Sequence, residues 1–155
     1  MSDAFFAILR AQSAYARAID DDRLEEWPDY FEDECLYKVT TAANHREGLE
    51  AGIIFANSPG MLRDRVSALR EANIYERHAY RHILGAPSIL AEDEDGVRSE
   101  TPFLVARIMR DGETDVFATG RYLDRYRLAD GAARLIERIV VCDSSRIDTL
   151  LALPL

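Results

Sequence analysis

Three consecutive stretches decide the fold: Gly120-Arg121-Tyr122-Leu123-Asp124-Arg125-Tyr126-Arg127-Leu128, the turn Ala129-Asp130-Gly131-Ala132, and Leu135-Ile136-Glu137-Arg138-Ile139-Val140-Val141-Cys142-Asp143. They read as two strands around an Asp-Gly pair, which supplies the positive-φ residues that a tight hairpin demands. The pair recurs at Asp95-Gly96 and Asp111-Gly112. Strands are therefore expected near 77–91, 97–110, 114–128 and 133–143, joined as an antiparallel meander. Everything before residue 75 reads mainly helical, so helices and strands are segregated along the chain and the class is α+β. Long strands in one sheet twist and curl, and a sheet curled around an N-terminal helix makes a half-open cone.

The helical part divides further. Phe5, Ile8, Leu9, Tyr15, Ala16 and Ile19 recur at helical spacing, with Ser2 or Asp3 as N-cap, and predict one amphipathic helix over 3–19. Asp22 followed by Glu25 resembles a capping box for a short second helix that Pro28 should interrupt. Trp27, Tyr30 and Phe31 supply bulky anchors. Residues 35–41 read as a first strand, 42–48 as polar loop and 52–56 as a short strand. Ser58-Pro59 then opens a helix carrying Leu62, Val66 and Leu69, with Ser58 as N-cap.

At 155 residues the chain fits one domain, 1–155, large enough to bury roughly two-thirds of its unfolded surface. Its net charge of −9 is uneven, since residues 1–34 hold ten acids against three bases. An acidic surface repels phosphate backbones, and the arginines form no basic run, which speaks against a nucleic-acid partner. Two cysteines, Cys35 and Cys142, make no secreted disulfide framework, and no signal-like segment opens the chain. The expectation is a reduced cytoplasmic protein. No apolar stretch approaches the ~20 residues that span a bilayer, so no membrane partner is expected.

Few residues carry obvious chemistry. His78 and His82 have the spacing of a zinc-binding helix, but the segment reads as strand, where four residues span ~13 Å, and the glutamate a zincin uses is missing. There is no Cys-x-His, Cys-x-x-His or Cys-x-x-Cys and no Gly-rich phosphate loop. If Asp130-Gly131 turns a two-residue hairpin, Tyr126 faces Leu135, Tyr122 faces Ile139 and Asp124 falls opposite Glu137. Such a carboxylate pair in a cone would raise one pKa and supply a general acid or base. The alternative is that an arginine such as Arg121, Arg125 or Arg138 neutralises one of the acids. A one-residue change of register dissolves the pair.

Several segments resemble a known family. Trp27-Pro28 with Phe31, the run Asp64 to Arg70, Ala72-Asn73-Ile74-Tyr75-Glu76-Arg77-His78 on to Arg81-His82, Gly120-Arg121-Tyr122, and Val141-Cys142-Asp143-Ser144 with Asp148-Thr149-Leu150 are similar to the small (β) subunit of aromatic-ring-hydroxylating Rieske dioxygenases. The resemblance implies the cone of nuclear transport factor 2, also called SnoaL-like, with a curved, mostly antiparallel sheet wrapped around N-terminal helices. It implies a partner, the large α subunit, in an α3β3 hexamer where β subunits also meet. It implies no cofactor in this chain: the Rieske two-iron, two-sulfur cluster and a mononuclear Fe(II) belong to the α subunit, and electrons come from NADH through a separate reductase. The holoenzyme would cis-dihydroxylate an aromatic carboxylate, terephthalate being the specific expectation, in aromatic catabolism. The family motif carries no catalytic residue over to this chain.

Two other functions compete with a structural subunit. One is an autonomous cone-pocket isomerase or dehydratase using Asp124, Glu137, Tyr15 or His82; the other is a ligand-binding module. For either, the pocket lining expected is Tyr15, Trp27, His82, Tyr122, Asp124 and Glu137. The apolar end, Leu150, Leu151, Leu153, Pro154 and Leu155, is a poor composition for a solvated tail. It is expected to seal a subunit boundary, or else to pack on its own sheet.

Overall fold

The computed structural model describes residues 3–50, 52–71, 75–146 and 151–155. Helix α1 (Asp3–Asp20) leads through a 3-10 helix (Leu24–Tyr30) into β1 (Phe31–Thr41), followed by α2 (Ala42–Arg46), β2 (Ile54–Ala56) and α3 (Pro59–Glu71). The meander then runs β3 (His78–Leu84), β4 (Ser88–Asp93), β5 (Gly96–Met109), β6 (Thr114–Ala129) and β7 (Ala132–Cys142). These strands form one sheet in the order β2-β1-β7-β6-β5-β3, with β4 also paired to β5. It curls over α1 as a cone of the nuclear transport factor 2 type.

The Asp-Gly turns sit where expected, and Gly96, Gly112 and Gly131 all take positive φ. Ser58 caps α3, its hydroxyl accepting from the Met61 N–H at 3.2 Å.

Five local expectations change. The strand near 77–91 is two strands, β3 and β4, separated by Gly85-Ala86-Pro87, because proline cannot donate to the ladder. The segment 42–48 is not wholly loop: Thr41 accepts from the Asn44 N–H at 3.2 Å and caps the short α2. Strand β1 starts at Phe31, four residues earlier than expected. The Asp22–Glu25 capping box does not form, since Asp22 takes a left-handed φ of 59° and both carboxylates accept from Arg70 of α3 instead. Finally, β1 runs parallel to β7, so the sheet is not antiparallel throughout.

The core lies between α1 and the concave face of the sheet. Ile8, Tyr15, Ala16 and Ile19 are buried as expected, whereas Leu9 is exposed and Gln12, a polar residue on the buried stripe, is not. Trp27, Phe31 and Tyr37 pack edge to face, with the rings of Trp27 and Tyr37 5.1 Å apart at 86°. Such pairs add about 0.5–1.5 kcal/mol each beyond the area they bury.

Candidate functional site: the floor of the cone

The hairpin register decides what faces the cone. From the turn, Ala129 pairs with Ala132 and Tyr126 with Leu135, as expected. A β-bulge then shifts the ladder by one residue at Ile136, so that Arg125 pairs with Glu137, Asp124 with Arg138 and Tyr122 with Val140. The expected Asp124–Glu137 dyad is absent for this reason. Glu137 lies beside Arg125 and Glu34 on the other face of the sheet, outside the cone, and is not a lining residue.

Arg138 takes the place opposite Asp124. Its Nε donates to Asp124 Oδ1 at 2.9 Å and its Nη2 to Oδ2 at 2.8 Å, and neither side chain is exposed at all. The guanidinium is flanked by the Tyr15 and Tyr122 rings, 4.3 and 3.8 Å from their centroids. Tyr126 donates its hydroxyl proton to Asp124 and accepts from Arg138 Nη2. Gln12 donates from α1 to Thr101 Oγ1 at 2.8 Å. Asp124 raises the Arg138 pKa well above its ordinary value against the opposing effect of burial. Burial likewise pushes Tyr15, Tyr37, Tyr122 and Tyr126 upward, leaving neutral phenols. Arg138 and Tyr126 thus hold this carboxylate as a buried, neutralised ion pair and not as a free base.

The terminal segment closes the floor. Leu155 has no exposed surface. Its carbonyl accepts from Tyr15 at 2.9 Å and Tyr37 at 3.1 Å, and its N–H donates to Tyr37 at 3.1 Å. Trp27 Nε1 donates to Tyr15, and Tyr80 donates to the Leu153 carbonyl. Leu151, Leu153, Pro154 and Leu155 are thus buried within their own chain. Of the two placements expected for the tail, these contacts are those of packing on its own sheet; Leu150 lies outside the described residues. The gap bounded by Tyr15, Tyr30, Tyr126 and Leu135 has no room for a water molecule.

Of the expected lining residues, Tyr15, Trp27, Tyr122 and Asp124 meet at this floor as packed core. His82 lies elsewhere, on β3 against Asp20 at the end of α1. His78 binds the Glu76 carbonyl through Nδ1, so the two imidazoles have separate partners. Gln12 is not among the residues expected at the floor, whereas Arg138 is one of the three arginines named as able to neutralise an acid there. Arg138 alternates in phase with Val140 and Cys142, which was the available signal.

Iron–sulfur ligation can be tested on the cysteines. Cys35 and Cys142 are buried free thiols on the neighbouring strands β1 and β7, and burial pushes Cys142 up to about 12. Among the described residues no three His, Cys, Asp or Glu side chains converge. A Rieske centre takes two cysteines and two histidines together, a set that no such convergence supplies among the described residues, so Cys35 and Cys142 do not fit one. No helix among the described residues is long and apolar enough to cross a membrane.

The model of the ring hydroxylating beta subunit family matches residues 14–149. The chain belongs to that family. The beta 1 subunit of the terminal oxygenase component of terephthalate 1,2-dioxygenase from a Comamonas species is 59% identical over 143 residues, covering 92% of this chain and 93% of that one. The small subunit of anthranilate 1,2-dioxygenase from Burkholderia cepacia is 37% identical over 151 residues, covering 97% and 94%. A solved structure described as the beta subunit of an aromatic-ring-hydroxylating dioxygenase from Novosphingobium aromaticivorans superposes with a TM-score of 0.89 at 43% identity, covering 98% of this chain and 97% of that chain. As a ring-hydroxylating beta subunit, the chain is part of an oxygenase, and its partner is an alpha subunit.

Proposed function

We propose that the chain is the structural β subunit of the terminal oxygenase of a multicomponent dioxygenase that cis-dihydroxylates terephthalate. Three copies join three α subunits in a hexamer. The Rieske cluster and the mononuclear Fe(II) are held by the α subunits, and a separate reductase delivers electrons from NADH in the cytoplasm. The observation that carries this is the filled cone. Where an autonomous isomerase or dehydratase needs an open pocket and a free acid or base, this floor has a buried two-point Asp124–Arg138 ion pair and the inserted Leu155. The 59% identity to a terephthalate dioxygenase subunit supports the substrate.

Co-expression with a terephthalate-dioxygenase α subunit tests the assignment. The expected product is an equimolar complex that, with reductase and NADH, consumes oxygen only when terephthalate is added. Failure to form that complex, or a complex inert toward terephthalate but active on another arene, would refute the assembly and the substrate respectively.

A further inference from the structure

Strand β4 stands at an edge of the sheet, paired to β5. A β-bulge at Leu90 interrupts that pairing and leaves its side chain 60% exposed, more than any other described leucine. Just beyond it comes Glu92-Asp93-Glu94-Asp95, the longest run of acids in the chain and exposed throughout. Glu94 and Asp95 lie beside Arg125 and Arg127 of their own chain, whereas Glu92 and Asp93 are in no ion pair among the described residues. Bulges and charges blunt an edge strand against stray pairing, but a leucine turned to solvent does the reverse.

The complementary surface lies between α1 and β3. A cleft of about 290 Å³ there has Leu9 and Leu84 on its walls, with Arg17 and Arg81 beside them. Leu9 is 38% exposed, and both arginines reach solvent. Asp20 shares the cleft but is held by the His82 backbone N–H and ring and by Arg81, with a side chain only 4% exposed. The charge the cleft offers to a neighbour is therefore positive. Leu84 pairs with Phe103 and Asp93 with Gly96, so the cleft and the hairpin tip are separated by about 20 Å of extended β5.

We infer that the β4–β5 hairpin of one copy of this chain docks on the α1–β3 cleft of a second copy. Leu90 meets Leu9 and Leu84, and Glu92 and Asp93 face Arg17 and Arg81. The pairing of opposite charges around an apolar contact sets its orientation. Because the two surfaces are different and lie apart on each copy, the contact is heterologous, the type that closes a ring of three. The inference rests on the hexamer proposed above, in which small subunits meet. The small chain is tested without its partner, so failure of this contact leaves the stoichiometry with the α subunit standing.

The test mixes two full-length variants, Leu9→Cys and Leu90→Cys, and joins them with a short bismaleimide; the native Cys35 and Cys142 are buried. The mixture should cross-link at least tenfold faster than either variant alone. Adding Glu92→Lys and Asp93→Lys to the Leu90→Cys chain should slow it at least tenfold, and Arg17→Glu in the Leu9→Cys chain should restore most of the rate. Ser13→Cys, exposed in the same cleft, replaces Leu9→Cys if that variant misfolds. No excess of cross-linking in the mixture would overturn the proposal. So would equal cross-linking of Leu90→Cys with itself, the mark of edge-to-edge pairing, or a rate indifferent to the charge reversal.

Discussion

Asp124 and Arg138 face one another across β6 and β7 as a two-point ion pair with no exposure of either side chain. They do so because Ile136 is one residue too many for the β6–β7 ladder. The bulge turns Arg138 into the cone and Glu137 out of it. The concave face therefore receives a neutralised pair instead of two acids.

Removing one partner strands the other in a core without water. Asp124→Asn should destabilise the chain by about 3–5 kcal/mol, whereas Asp124→Leu with Arg138→Met together should fall close to wild type. Urea unfolding of the three proteins checks this. A double variant as unstable as the single one would show that the pair does more than fill its own space.

The tail should stabilise the isolated chain. Leu155→Ala is expected to cost about 2–5 kcal/mol as a large-to-small core change. Tyr37→Phe removes the hydroxyl that meets both Leu155 backbone groups and should cost about 1–2 kcal/mol. Tyr122→Phe should be neutral or stabilising, because the Tyr122 hydroxyl is buried without a partner among the described residues. Thermal melts of the small subunit alone measure all three, and equal costs for the two tyrosine variants would contradict the tail's position.

The meander could be read in the sequence because its signals are local: Asp-Gly at each turn, period-two alternation between. The helix caps at Ser58 and the stripe of α1 are local too. The parallel β1–β7 pairing depends on contacts about a hundred residues apart, for which no short motif exists. The bulge at Ile136 is equally silent, since an extra residue in a strand of Leu135-Ile136-Glu137-Arg138-Ile139 leaves apolar and charged positions on either phase. That one residue separates the expected dyad from the observed ion pair. Asp20 at the end of α1 is buried by its contacts with His82 of β3, a pairing across 62 residues that no local pattern signals.

Alkaline pH should unfold the protein through its tyrosines. Burial raises the folded-state pKa of Tyr15, Tyr37, Tyr122 and Tyr126. Their stabilising contribution is therefore fully present below the unfolded value of about 10 and is lost as pH rises beyond it, by up to about 1.4 kcal/mol per group and pH unit. Tyrosinate absorbance should rise in two parts, the second coinciding with loss of circular dichroism. All seven tyrosines titrating near pH 10 in a folded protein would contradict the burial.

Thiol chemistry should be silent in the native state. Burial raises both Cys35 and Cys142, so neither should react with a disulfide reagent at pH 8 until the chain unfolds. Prompt labelling of two thiols in folded protein would count against the packing of β1 on β7.

The most direct test of a structural, non-catalytic cone uses the assembled oxygenase carrying Asp124→Leu with Arg138→Met in the small subunit. Turnover of terephthalate per iron centre should stay within about twofold of wild type in complexes of normal stoichiometry. A loss of ~100-fold in a fully assembled, iron-replete complex, the size expected for removing a general acid or base, would contradict the account.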